Sequence, residues 1–323
     1  MDGKRGGAEP WVDLVVNGNA GRLKQEPRLA LALADAARAE GARVHETRSR
    51  EELEAAAHAI AERGTQGVLL AGGDGSVGAG LTALSHAYAV AKRAALPPFA
   101  LVPAGTVCTI ARNFGVRGDP VACTRRASRA LADGTASLRR SSTLLVADDR
   151  GGERVAVIFA AGLAVRFFEL YDAAPRPGVG AAASIALRLF AGSLVGSAEA
   201  RRVIDPTPGE LEIDGRLEVA KAWSLVLAST VPDVAPHLRA AYRAGEGRGF
   251  HVVASGLPAR ALGPQLWRVF RGKPLVGEPR VDTLAERISL AFMGEGAYVL
   301  DGDRFAARKV RVAVGPAVSI ASG

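Results

Sequence analysis

Val68-Leu69-Leu70-Ala71-Gly72-Gly73-Asp74-Gly75-Ser76 decides the reading of this chain. A short apolar run stops abruptly in three glycines, an aspartate and a hydroxyl, and a helical pattern sets in near Val77. A buried parallel strand that feeds a glycine-rich turn into a helix N-terminus collects several backbone N–H groups and the positive end of a helix dipole. A phosphate group binds well in such a place. Gly72, Gly73 and Gly75 let backbone approach a ligand closely and permit positive φ. Asp74 adds an exposed loop carboxylate able to hold magnesium directly or through water. No Gly-Lys-Ser/Thr follows and the G-x-G-x-x-G spacing is absent, so neither of those phosphate motifs applies.

The same rhythm extends on both sides of the loop. Trp11–Asn17 reads as a strand, Pro27–Glu40 as an alanine-rich helix closed by Gly41, and Arg43–Thr47 as a second strand. Ser49 caps a helix with Glu51 and Glu52 in its first turn, running to about Arg63. Gly67–Ala71 is a third strand, Ser76–Lys92 a helix, and Phe99–Val102 a fourth strand that leads through Pro103-Ala104-Gly105-Thr106 into a helix ending near Phe114. Alternation of this kind predicts a doubly wound parallel sheet with helices on both faces. Ligands on such sheets bind at the carboxyl ends of the strands, where Asn17, Thr47, Gly72–Ser76, Gly105 and Thr106 all fall.

After Asp133-Gly134 the pattern changes to short alternating segments. Ser141–Ala147, Arg154–Ala160, Arg201–Asp205, Glu210–Ile213, Ala222–Ala228, Phe250–Ala254, Arg280–Leu290 and Tyr298–Leu300 read as antiparallel strands, with Asp214-Gly215 as a hairpin turn. Gly180–Leu194 and Pro258–Phe270 read as helices. A β-sandwich with inserted helices is the expected architecture. The expected domains are residues 8–136 and 137–305, with 306–323, including Val310–Val314, returning to the first.

Composition narrows the classes. The chain has 323 residues, 48% of them hydrophobic and 23% charged, which is ordinary for a soluble globular protein. It has no run of 18 apolar residues, and Met1–Pro10 is polar and glycine-rich, so neither a membrane span nor a signal peptide is expected. Cys108 and Cys123 give no disulfide framework, and five scattered histidines give no zinc pattern, which suits a reducing cytoplasm. The net charge of +8 comes with only 5% aromatic residues, so an anionic nucleotide or membrane surface suits it better than nucleic acid. In Leu262–Lys273, Leu262, Leu266, Trp267 and Phe270 share a helical pattern with Arg268, Arg271 and Lys273. That is the composition of a surface-lying basic helix or of one packed on the sandwich.

With these pieces in order, the chain resembles the diacylglycerol kinase catalytic family, specifically the soluble bacterial lipid kinases related to sphingosine kinases. Asn17-Gly18-Asn19-Ala20-Gly21-Arg22 is similar to that family's first phosphate loop, N-P-x-S/A-G-K/R. Thr47 stands where it places a nucleotide-contacting threonine. Gly72-Gly73-Asp74-Gly75-Ser76 resembles its G-G-D-G-T, and Pro103-Ala104-Gly105-Thr106-Val107-Cys108-Thr109-Ile110-Ala111-Arg112 its P-L-G-T-x-N-D-F-A-R. Ala161-Gly162-Leu163 and the helix after Pro177-Gly178 look like the start of its lipid domain. Asp301-Gly302-Asp303 stands where the family carries D-G-E.

The resemblance implies a nucleotide domain similar to those of phosphofructokinases and NAD kinases, followed by a lipid-binding β-sandwich. It implies a lipid kinase using ATP and Mg²⁺ on a lipid hydroxyl, in the cytoplasm and at the inner membrane face, and it leaves room for a homodimer. ATP phosphates would rest on the Gly72, Gly73, Asp74, Gly75 and Ser76 loop, on Asn17 and on Arg22, with Thr47, Gly105 and Thr106 beside them. Asp74 would organise Mg²⁺, and of the pair Asp301 and Asp303 one carboxylate would accept the proton and the other position it, in either order. Glu246-Gly247 falls where some relatives end a structural-metal loop. Cys108 and Thr109 replace the family's asparagine and aspartate. Asp303 replaces its glutamate, a carboxylate shorter in reach by roughly 1.5 Å. Two other readings stay open, an NAD-kinase-like phosphotransferase and a binding protein that has lost activity.

Overall fold

The computed structural model describes residues 12–175 and 178–322. Met1–Trp11, which include the first residue of the first expected strand, and Pro177 lie outside them. The described residues form two compact units, one running up to Arg140 with a return at Val318, the other Ser141–Ala317.

In the first unit β1 (Val12–Asn17) leads through α1 (Gly21–Gln25) and α2 (Pro27–Ala39) to β2 (Arg43–Thr47), and α3 (Arg50–Arg63) to β3 (Gly67–Gly72). Then α4 (Asp74–Val90) precedes β4 (Phe99–Pro103), followed by α5 (Thr109–Asn113), α6 (Pro120–Ala132) and β5 (Leu138–Ser141). The order across the sheet is β2-β1-β3-β4, then the C-terminal strand Val318–Ala321, then β5. Neighbours from β2 to β4 run parallel. Leu14, Leu69 and Val102 pack with Leu33 and Ala37 of α2 and Leu131 of α6 on one face. On the other, α4 presses so closely that a Cβ on Gly80 would stand 2.8 Å from Leu70. Local sequence fixes the helix ends: Ser49 Oγ accepts from Glu52 N at α3, and Asp119 accepts from Ala122 N beside Pro120 at α6. The strand interiors are buried, and the buried Asp13 is paired with His45 at 2.8 Å and Arg63 at 2.6 Å.

In the second unit the strands are β6 (Leu144–Asp148), β7 (Glu153–Ala156), β8 (Ile158–Gly162), β9 (Thr207–Ile213), β10 (Arg216–Leu217), β11 (Ala222–Trp223), β12 (Leu225–Ser229), β13 (Phe250–Ser255), β14 (Arg280–Ala285), β15 (Arg287–Leu300) and β16 (Asp303–Val314). They form one antiparallel sheet of 11 strands. Its long strand β15 pairs with β9 through Ile288–Phe292 and with β8 through Tyr298–Leu300, and a bulge separates the two stretches. Inward residues from both halves, such as Leu144, Leu211 and Val312 with Phe159, Val226 and Phe250, share one apolar core. The helices are α7 (Leu163–Asp172), α8 (Val179–Val195), α9 (Ala198–Ile204), α10 (Ala259–Leu262) and, after a 3-10 turn at Gly263–Gln265, α11 (Leu266–Phe270).

Several expectations need correcting. Arg201–Asp205 is not a strand: Ser197 caps α9, and Ala200, Val203 and Ile204 are buried at helical spacing. The helix α7 was not among the expected elements, and Val165 is its one buried residue. Gly263-Pro264 breaks the expected helix Pro258–Phe270 into α10 and α11. Val310–Val314 stays in the second unit, paired with β6, and the return to the first sheet is made by Val318–Ala321. Among the described residues no single helix is long and apolar enough to cross a membrane.

Candidate functional site

The glycine loop is tighter than the sequence suggests, because α4 begins at Asp74 itself. The N–H groups of Asp74, Gly75 and Ser76 are therefore in the first turn of a 17-residue helix, where no intrahelical acceptor exists. The glycines serve close approach and not unusual dihedrals, since none of Gly72, Gly73, Gly75 and Gly105 has positive φ. A Cβ on Gly105 would stand 2.3 Å from the Cα of Gly73, and one on Gly72 would stand 2.4 Å from Ser76. The loops after β3 and β4 thus touch through backbone.

Asn17 ties in the loop after β1. Its Nδ2 donates to Ser76 Oγ at 2.9 Å, and its Oδ1 accepts from Asn19 N. Gly21 and the exposed Thr106 face each other, with 3.8 Å from a built Cβ to Thr106 Oγ1. Arg22 is half-exposed and lies 3.5 Å from Glu26. The sequence-predicted phosphate ligands Asn17, Arg22, Gly72, Gly73, Gly75, Ser76, Gly105 and Thr106 all fall on these abutting loops. Thr47 ends β2 as expected, yet its Oγ1 donates to Val16 O and is buried, so it fastens β2 to β1.

Asp74 departs from expectation. It is not an exposed loop carboxylate: Oδ2 accepts from Thr109 N and Oδ1 from Ile110 N, both at 2.8 Å. Burial pushes its pKa up, against those two amide bonds. The side chain anchors the start of α5 across the fold. Thr109 keeps this contact because only its backbone N–H is needed. Cys108, just before α5, holds φ at 54°, where the family's asparagine would be at ease. Its Sγ accepts from Gly105 N at 3.2 Å. Burial, and then the Asp74 carboxylate, push the thiol up to about 11, so it stays protonated and unreactive. Arg112, which the sequence reading quoted without a role, exerts its charge on both Asp74 and Cys108.

In the second unit Asp301-Gly302 forms the turn between β15 and β16, with φ of 49° and 99°. Asp301 is buried at 4% exposure. Its carboxylate accepts from Ile158 N at 2.8 Å and from Val157 N at 3.1 and 3.2 Å. So engaged, the Asp301 carboxylate fastens the turn between β15 and β16 to the start of β8. Asp303 differs. It lies at the surface, and among the described residues nothing hydrogen-bonds or ion-pairs with its carboxylate. Desolvation, then the charge of Asp172, raise its pKa. Asp172 and Glu169 lie on α7, within 3.1 and 3.8 Å of Arg304. The sequence reading missed this helix and its acidic end.

The expected metal ligands are not gathered. Glu246 is exposed and bonded to Arg243 at 3.1 Å, and no group of three His, Cys, Asp or Glu side chains among the described residues could hold a metal. With both oxygens of Asp74 on amides, the residues present do not build a cation cage of their own. The free amides and Arg22 do fit phosphate.

Residues 12–137 match the diacylglycerol kinase catalytic domain. That match spans Asn17–Arg22, Gly72–Ser76 and Pro103–Arg112, and stops short of the second unit. No curated protein matches the sequence. Three solved structures from Bacillus anthracis str. Sterne share the fold. One described as a diacylglycerol kinase has a TM-score of 0.61 at 13% identity and covers 97% of each chain. Another, provisionally assigned as a diacylglycerol kinase, has a TM-score of 0.66 at 13% identity and covers 99% of each. A third, with the same provisional assignment, has a TM-score of 0.63 at 14% identity, covering 97% of this chain and 98% of its own. At such identities the likeness speaks for the fold alone, and it carries that fold through both units.

Proposed function

We propose that this chain is an ATP-dependent lipid kinase. The observation that carries the reading is the set of unpaired amides at the start of α4, braced by Asn17 and Gly105, inside the segment that matches the diacylglycerol kinase catalytic domain. Positioning and charge neutralisation are most of what phosphoryl transfer asks of a protein. The amides of Asp74, Gly75 and Ser76 hold phosphate oxygens, with Arg22 and Arg112 adding positive charge. Asn17 occupies a lone pair of Ser76 Oγ and leaves that hydroxyl's proton for a phosphate oxygen. Asp74 keeps α5 in place. A divalent cation would enter on the nucleotide's own phosphates.

In the second unit Asp303 is the proton acceptor. The lipid hydroxyl gives its proton to the Asp303 carboxylate as its oxygen bonds to the γ-phosphorus, and the bond to ADP breaks. A pKa raised by desolvation and by the charge of Asp172 suits a general base. The catalytic-domain match favours this over NAD kinase, and the surviving Asp74–Thr109 contact speaks against lost activity.

Peripheral docking on an anionic cytoplasmic membrane face is part of the proposal. The outer face of α8 exposes Leu187 at 67% and Val195 at 76%, and α11 exposes Trp267 at 45% with Arg268 and Arg271 over its ring. Aliphatic and indole groups beside arginine suit an anionic interface. The deciding experiment measures ATP consumption over diacylglycerol, monoacylglycerol, ceramide, a sphingoid base and NAD. Turnover on a lipid is expected. Turnover on NAD alone, or on nothing, would overturn the reading.

A further inference from the structure

The second unit holds a half-buried guanidinium with no carboxylate at ion-pair distance among the described residues. Arg166 of α7 donates from Nη1 to Thr207 Oγ1 and from Nη2 to the backbone oxygen of Asp205, both at 2.9 Å and both neutral acceptors. Its Nε is buried with no acceptor. Among the described residues no carboxylate reaches ion-pair distance. Glu169 and Asp205 act on it only through space: Glu169 faces Arg304 at 3.8 Å, and Asp205 Oδ1 accepts from Ala259 N at 2.8 Å. Burial accordingly lowers the guanidinium's pKa.

A second orphan donor stands across the ladder from Thr207. Trp223 is 3% exposed and its Nε1 also has no acceptor. In the ladder between β11 and β9, Trp223 stands directly opposite Thr207, so their side chains share a face of the sheet. Thr207, which accepts from Arg166, is therefore the link between the two. Its own hydroxyl proton is a third donor, and its exposure opens the cluster to solvent. Buried donors in native proteins are nearly always satisfied. A trapped water could accept from the two N–H groups but would add no negative charge beside the guanidinium.

We propose that Arg166, Trp223 and Thr207 form an oxyanion-binding subsite of the second unit, which takes a phosphate or carboxylate group. The cluster presents three donors and a positive charge, so the ligand group that suits it is an acceptor and anionic. The subsite stands on this geometry and not on the kinase reading, and its test uses no turnover.

The test is a ¹⁵N NMR titration of the full chain, following the Trp223 indole and Arg166 Nε–H signals. The Trp223→Phe variant identifies the indole among the three tryptophans. Separate arms add inorganic phosphate, dihexanoyl phosphatidic acid and hexanoate, against chloride at matched ionic strength. The two signals should move together and saturate with at least one of them. Phosphatidic acid alone would identify a lipid headgroup, phosphate as well would identify free phosphate chemistry, and hexanoate alone a carboxylate. Arg166→Gln should weaken binding at least tenfold. Trp223→Phe, which keeps the ring and removes only the N–H, should weaken it about tenfold, the range for a hydrogen bond to a charged group. If Arg166→Gln does not fold, Trp223→Phe decides. No saturable shift in any arm, or binding untouched by Trp223→Phe, overturns the subsite.

Discussion

Asp214 and Asp301 do the same job in two hairpins of the second unit. Each starts an Asp-Gly turn with both residues at positive φ, 47° and 84° in one, 49° and 99° in the other. Each carboxylate accepts from two successive amides of a neighbouring strand, Glu286 and Arg287 for Asp214, Val157 and Ile158 for Asp301. Asp214 belongs to no motif, so its twin geometry shows what Asp301 is for. Two residues on, Asp303 has the opposite environment: no hydrogen-bond or ion-pair partner among the described residues, and a pKa raised by desolvation and by Asp172. A carboxylate saturated by backbone donors builds a turn, while one left bare with a raised pKa can take a proton.

Four substitutions sharpen that comparison, the largest effect first. Asp301→Ala strips acceptors from two buried amides and should cost about 2–6 kcal/mol in urea unfolding of the second unit, at about 1–3 kcal/mol per orphaned group. Asp214→Ala, at a solvent-exposed turn, should cost clearly less. Equal costs would break the comparison at its root. Asp74→Asn replaces one of two amide acceptors with a donor and should cost about 1–3 kcal/mol, read as a lowered melting temperature of the first unit. An unchanged melting temperature would return Asp74 to the metal-binding role. Cys108→Asn should stabilise by about 1 kcal/mol, because asparagine tolerates the left-handed backbone that cysteine holds under strain. Loss of stability there would mean that the Sγ contact with Gly105 N outweighs the dihedral.

Legibility in the sequence followed the range of the interactions. In the first unit the signals are local: the Ser49 cap, Pro27 at a helix start, and the glycine loop between a buried strand and α4. Strands β1 to β4 and helices α2, α3 and α4 could be read nearly residue by residue, along with the loops that meet at the strand ends, whereas α1, α6 and β5 went unread. In the second unit α7 presents an aromatic stretch with almost no buried period, and α9 is seven residues long, so neither declares itself. The carboxylates were harder still. Asp301 finds its amide donors 144 positions away, and Asp74 finds its own 35 positions away. Nothing beside either residue tells a turn or a cap from a catalytic group.

The most direct test of the account is the rate of ATP-dependent lipid phosphorylation by Asp303→Asn against the wild type, across pH and at matched melting temperature. The account predicts a fall of about 10²–10⁴-fold, the usual contribution of a general base, with ATP affinity nearly unchanged. It also predicts that wild-type activity declines on acidification at a pH above the ordinary aspartate value of roughly 4, because the raised pKa protonates the base early, and that this limb vanishes in the variant. Turnover within a few-fold of wild type, with the acid limb intact, would contradict the assignment of Asp303 as the base.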